Sequence, residues 1–323
     1  MITVAKRKSR AAWLSVGSNS TLIVGKLIVG LAIGSVSVLS EAIHSGVDLL
    51  AAIIALVAVQ QSAKPADERH PFGHGKFENL SGTIEALLIF AAAAWIIYEA
   101  IRKLAHPAPL EQASWGVAVM GVSVCVNWAV SRYLMRVGKE TDSMALQADA
   151  WHLRTDVYTS LGVTVALTCV FFGDSVVAAL GLGPQQTALW QDLLHVLDPL
   201  AAIVVAMLIL RAAYTLTLQS ARDLMDVQLP QAELQWVHDM LRNFGPPVHG
   251  FHRMRTRKAG ASRFIDFHIF VDPMMTVERS HSLAHELARR IEEHFGHPSV
   301  TVHVEPCRGT CERPEEHASR RTD

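Results

Sequence analysis

The first two thirds of this chain contain little charge. Of the 59 Asp, Glu, Lys and Arg residues among 323, 30 fall in positions 1–221 and 29 in the 102 that follow. The later density matches the roughly one quarter usual in soluble domains, and the earlier one is about half of it. Cysteine is scarce as well, with four in all. Cys125 and Cys169 sit in apolar runs and Cys307 and Cys311 near the end, too few for a disulfide framework and only a weak metal signal. Neither sign of charge is in excess: the formal net charge is −1, which excludes a strongly basic nucleic-acid binder. A disordered tail and a fibrous repeat are excluded by a hydrophobic content of 50%. No His-Glu-x-x-His pair occurs, which argues against a membrane zinc hydrolase. What is plentiful is histidine, 16 residues, ten of them after position 221.

A bilayer core about 30 Å thick needs roughly 20 mostly apolar residues in a helix. Six stretches meet that length, at Ala12–Gly34, Val36–Gln61, Phe77–Ile101, Gln112–Met135, Ala145–Phe172 and Leu193–Leu218. The first follows Lys6-Arg7-Lys8 but lacks a clear small-residue cleavage site, so it is expected to be a retained helix. Lys6, Arg7, Lys8, Arg10, Lys64, Arg69, Lys76, Arg132, Arg136 and Lys139 fall on one side of the six spans, and Arg102 and Lys103 on the other. The positive-inside rule then places both termini in the cytoplasm, and a cytoplasmic-facing domain without targeting signals fits a bacterial inner membrane.

Beyond position 221 the pattern becomes that of a small α+β unit. Helices are expected over Pro230–Asn243 and Thr276–Phe295, and strands over His249–Arg257, Arg263–Val271 and Val300–Val304, in the order αββαβ. The expected divisions are an N-terminal segment 1–11, a six-helix membrane domain 12–221, a cytoplasmic domain 222–306 and a flexible tail 307–323.

Ionisable groups at bilayer depth are costly and mark transport or proton pathways. His44 and Asp48 lie four residues apart in the second span, and His152 and Asp156 repeat the spacing in the fifth. On a helix each pair shares one face. Each pair could satisfy itself by an internal hydrogen bond, but two identical pairs can also converge into two imidazoles and two carboxylates, a tetrahedral donor set suited to Zn²⁺. Ser18, Asn19, Ser20, Lys26, Glu85 and Asn127 are read as lining a wet cavity or snorkelling.

With the loop His70-Pro71-Phe72-Gly73-His74-Gly75-Lys76-Phe77-Glu78 and the terminal αββαβ pattern, the chain resembles the cation diffusion facilitator family, in particular its bacterial zinc/iron efflux branch. The resemblance extends to about Cys307. It implies a membrane all-α six-helix bundle followed by a metallochaperone-like cytoplasmic α+β domain. It further implies a homodimer in the lipid bilayer that exports divalent metal in exchange for protons, a secondary transporter and not an enzyme. His44, Asp48, His152 and Asp156 correspond to its transport site. Members of the branch often carry Asp where this chain has His44, and the imidazole shifts the preference toward Zn²⁺. Asp67, His70 and His74 match a small loop site. His252, His268, His281 and His303 match a binuclear zinc centre, with Glu305 in place of the usual bridging Asp and His285 one turn from His281. Lys76 and Asp226 match a charge contact between protomers. A membrane metal sensor with an inert bundle is the other class open to such a sequence.

Overall fold

The structure is a computed structural model and describes residues 2–33, 36–105, 114–179, 184–296 and 298–308. His106, His297, Cys311 and His317, and the side chains of Lys103, Cys169 and His195, lie outside what is described.

Six long helices come first: α1 (Ile2–Ile33), α2 (Val36–Ser62), α3 (Lys76–Ala105), α4 (Ser114–Glu140), α5 (Met144–Ala179) and α6 (Pro184–Leu224). Among the described residues, four stretches are long and apolar enough to cross a membrane: Val4–Ala32, Ala42–Ser62, Lys76–Arg102 and Ala202–Leu224. The first helix starts at Ile2, so the Lys-Arg-Lys segment is its first turns and not a separate strand of coil. The chain divides into two compact units, Met1–Ala221 and Arg222–Asp323.

Packing in the first unit depends on small residues. Ala11 and Ala12 of α1, Ala55 of α2 and Ala145 and Ala150 of α5 are all fully buried beside Leu134, Leu146 and Leu153. Lipid supplies no hydrophobic drive to join helices, so close approach over alanines and van der Waals contact hold such bundles together. A second cluster joins α3 to α6 through Ala86, Ile89, Ala93, Ile209, Ala213 and Leu216, and Trp151 of α5 touches both clusters.

In the second unit the order is α7 (Gln231–Phe244), β1 (Gly250–Ala259), β2 (Ser262–Val271), α8 (Val277–Phe295) and β3 (Ser299–Pro306), the expected αββαβ. Thr276 caps α8 by accepting a hydrogen bond from the Arg279 amide, one of the donors a helix start leaves unpaired. The sheet has order β1-β2-β3, antiparallel between β1 and β2 and parallel between β2 and β3. Leu234, Val237 and Leu241 of α7 and Leu283, Leu287 and Ile291 of α8, spaced one helical turn apart, cover Phe251, Ile265, Phe267 and Ile269 on one sheet face. Strand side chains alternate, so the residues between them project from the other face. Those residues include His252 and His268.

Candidate metal centres

The two His-x3-Asp pairs meet, and they meet crosswise. Asp48 Oδ1 lies 3.3 Å from His152 Nε2 on α5, and His44 Nε2 lies 3.7 Å from Asp156 Oδ1. Within α2, His44 and Asp48 are farther apart at 4.0 Å. The closer contacts therefore run between helices, contrary to the reading in which each pair satisfies itself. Four donors 2.0–2.2 Å from one ion stand roughly 3.4 Å apart in a tetrahedron, close to these separations. Asp48 and His152 are buried, while His44 is 52% exposed and forms the accessible side. Among the described residues, Asp156 Oδ2 and His152 Nδ1 are buried with no hydrogen-bond partner. Spare donor atoms at that depth are costly unless something binds them.

The loop cluster is set by one aspartate. Asp67 Oδ1 accepts from the Arg69 and His70 amides at 2.9 and 2.7 Å, closing a tight turn. Gly73, with φ +82°, turns the chain back in a conformation that strains any residue with a Cβ. The result puts His70 Nδ1 3.2 Å and His74 Nε2 3.3 Å from the Asp67 carboxylate. The His70 amide holds the Asp67 carboxyl below its ordinary value of 3.8, so the group stays an ionised acceptor.

The sheet cluster is a row. His252 pairs with His268, and His268 with His303, so three imidazoles lie side by side across β1, β2 and β3. Glu305 projects from the same face two residues on and reaches back along it. Its Oε2 lies 3.1 Å from His252 Nε2, and its Oε1 lies 2.7 Å from His268 Nδ1 and 3.7 Å from His303 Nε2. The longer glutamate thus spans two strands with both oxygens. Its hydrogen bond to His268 lowers its pKa from 4.5. Phe270 stacks on His252 at 4.6 Å and fixes the ring. His281 is exposed on α8, 4.4 Å from His285 between ring centroids. Asp226 accepts from Arg257 at 3.4 Å within its own unit, and Lys76 opens α3.

One buried centre was not foreseen. Glu78, quoted above only as part of the loop motif, is 1% exposed. It receives Lys8 of α1 at 2.9 Å, Ser62 of α2 at 2.8 Å and Ser143 before α5 at 2.5 Å. Lys8 had counted only toward the positive side of the membrane. The available signal was an acid in the first turn of an otherwise apolar helix. Asp149, three residues before His152, is also fully buried, and neither of its oxygens has a hydrogen-bond partner among the described residues.

A donor set of this kind inside apolar helices has the chemistry of a cation site at bilayer depth. Fold and sites together define a membrane transporter of cations. Residues 12–225 match the family described as the cation efflux transmembrane domain, and residues 229–307 match the cation efflux protein cytoplasmic domain. The chain belongs to the cation efflux, or cation diffusion facilitator, family. It is 37% identical to the transporter sll1263 of Synechocystis sp., over 91% of this chain and 89% of that protein. It is 28% identical to the cation-efflux pump FieF of Salmonella newport, over 94% and 95% respectively. A solved metal-bound C-terminal domain of the CzcD transporter from Thermotoga maritima is 33% identical, with a TM-score of 0.23, and matches 26% of this chain and all of that one.

Proposed function

We propose that this transporter exports Zn²⁺ from the cytoplasm in exchange for protons by alternating access. The observation that carries the reading is the cluster of His44, Asp48 and Asp156, whose ligand atoms lie within 4.8 Å of one another, with His152 Nε2 3.3 Å from Asp48 Oδ1; together the four would supply an N₂O₂ set. Imidazole nitrogen in half of the positions favours a borderline ion over oxygen-seeking ones. Metal binds these groups only when the carboxylates are ionised and the imidazoles neutral, so protons compete for the same atoms. Protons entering from the outer face would displace the ion there, and their loss to the cytoplasm would restore the site. The positive-inside count supports an inner-membrane protein with both termini in the cytoplasm.

The cytoplasmic row fits zinc by its own chemistry: His252, His268 and Glu305 bring nitrogen and carboxylate donors within 4.8 Å of one another, and His303 stands beside them on the same face, 3.7 Å from Glu305. There the ion would report cytoplasmic zinc or stiffen a homodimer, with His281 available to complete the shell. Asp67, His70 and His74 would form a weaker loop site, and Lys76 and Asp226 a charge contact between protomers.

Full-length protein in vesicles loaded with a zinc-sensitive dye tests the reading. An inward pH gradient of the right sign should drive zinc flux, Asp156→Ala should abolish it, and Cd²⁺ should be carried poorly. Zinc binding without flux would leave the sensor reading in its place.

A further inference from the structure

Three cations that the transport reading does not use line a single cavity of about 550 Å³ in the membrane unit: Lys139 of α4, Arg154 of α5 and Arg211 of α6. No Asp or Glu lines that cavity among the described residues. The nearest acids in sequence are engaged elsewhere: Glu140 pairs with Arg7, and Asp156 faces His44. None of the three cations makes an ion pair among the described residues. Arg154 is held in place by its guanidinium lying over the Trp151 ring, 5.2 Å from the centroid. Arg211 lies inside the apolar stretch Ala202–Leu224. A charge at that depth is costly without a counter-ion, and three of one sign converging without a partner call for an anion.

The walls say what carries the anion. Toward the ends of α4 and α6 and the start of α5 the cavity offers Lys139, Gln219 and Gln147, and deeper along α5 and α6 it offers Tyr158 and Leu208. Tyr158 and Leu208 are 44% and 63% exposed. A cationic, hydrogen-bonding mouth that continues into an apolar groove between spanning helices matches a phosphate headgroup with acyl chains attached. Basic pockets between membrane helices take up anionic lipid on these grounds. A free phosphate would need only the mouth.

We propose that the cavity between α4, α5 and α6 binds one anionic phospholipid per chain, its phosphate held by Lys139, Arg154 and Arg211. The occupant bridges three helices.

Native mass spectrometry of the full-length detergent-purified protein tests this with three probes: phosphatidylglycerol, phosphatidylcholine and inorganic phosphate. The expected result is one phosphatidylglycerol retained per chain at about tenfold lower concentration than phosphatidylcholine, with inorganic phosphate unable to displace it. Arg154→Gln combined with Arg211→Gln should erase the preference. Equal retention of the two lipids, a preference that survives the double substitution, or displacement by inorganic phosphate at equal concentration would each overturn the proposal. If the double variant does not fold, Lys139→Gln with Arg211→Gln asks the same question nearer the helix ends.

Discussion

The transport cluster and the sheet cluster use the same donors in opposite ways. In the membrane, each helix contributes one imidazole and one carboxylate, and the contacts that matter cross from α2 to α5. In the C-terminal unit, three histidines sit in one row of a hydrogen-bonded sheet, with Glu305 on the third strand. A helix-borne set changes shape whenever one helix tilts or slides against the other. A sheet-borne set cannot, because backbone ladders fix the spacing. The first set can change its geometry and the second cannot, a difference that under the proposed function suits release in the membrane and retention in the C-terminal unit.

The comparison can be broken at several points. The largest effect is expected from Asp48→Ala or Asp156→Ala, which should abolish zinc flux in vesicles while zinc titration of the cytoplasmic cluster is unchanged. Next comes Glu78→Ala. Removing one partner of a buried ion pair costs about 3–5 kcal/mol, and Lys8 would be left buried beside Ser62 and Ser143. Unfolding in mixed micelles should show that loss, and the membrane cluster should suffer more than the sheet cluster. His268→Ala, at the centre of the row, should weaken cytoplasmic zinc binding by at least about tenfold, read by isothermal titration, and leave the membrane site intact. Gly73→Ala forces a Cβ into a left-handed turn and should cost about 1 kcal/mol at the loop, visible as weaker zinc binding there.

The smallest effect concerns acid. The folded pKa of Glu305 lies below 4.5, so its contribution to stability is fully present above that pH and is lost only as pH falls through the lower folded value. Carboxyl NMR should therefore find Glu305 more than half ionised at pH 4.5, and a midpoint above it would contradict the hydrogen bonds from His268 and His252.

Much of this was legible in the residues. Long apolar runs fixed the positions of the six helices, since few other structures can satisfy twenty backbone amides in lipid. Alternation revealed the strands, and repeated spacing revealed the two His-Asp pairs. What spacing could not show was which histidine would meet which aspartate, because that depends on the rotation of α2 against α5. The Lys8–Glu78 pair was hidden for a similar reason. Its members are 70 positions apart, and each has an ordinary local explanation. Glu305 raised a question of reach that only the strand register could answer.

Strand β1 contains an irregularity between His252 and Arg255, where three steps on β1 match two on β2, and Arg253 takes a φ of 48°. The extra residue acts as a half-period phase shifter. Before it, Phe251 points to the helices and His252 to the open face; after it, Met254 packs against the core although it is only two positions from His252. One strand thereby serves two incompatible alternations, a metal-facing one and a core-facing one. Deleting Arg253 would put them back in step, so that Phe251, His252 and Met254 alternate without a bulge, whereas flattening the strand with Arg253 kept would force the chain to give up either the imidazole or the methionine.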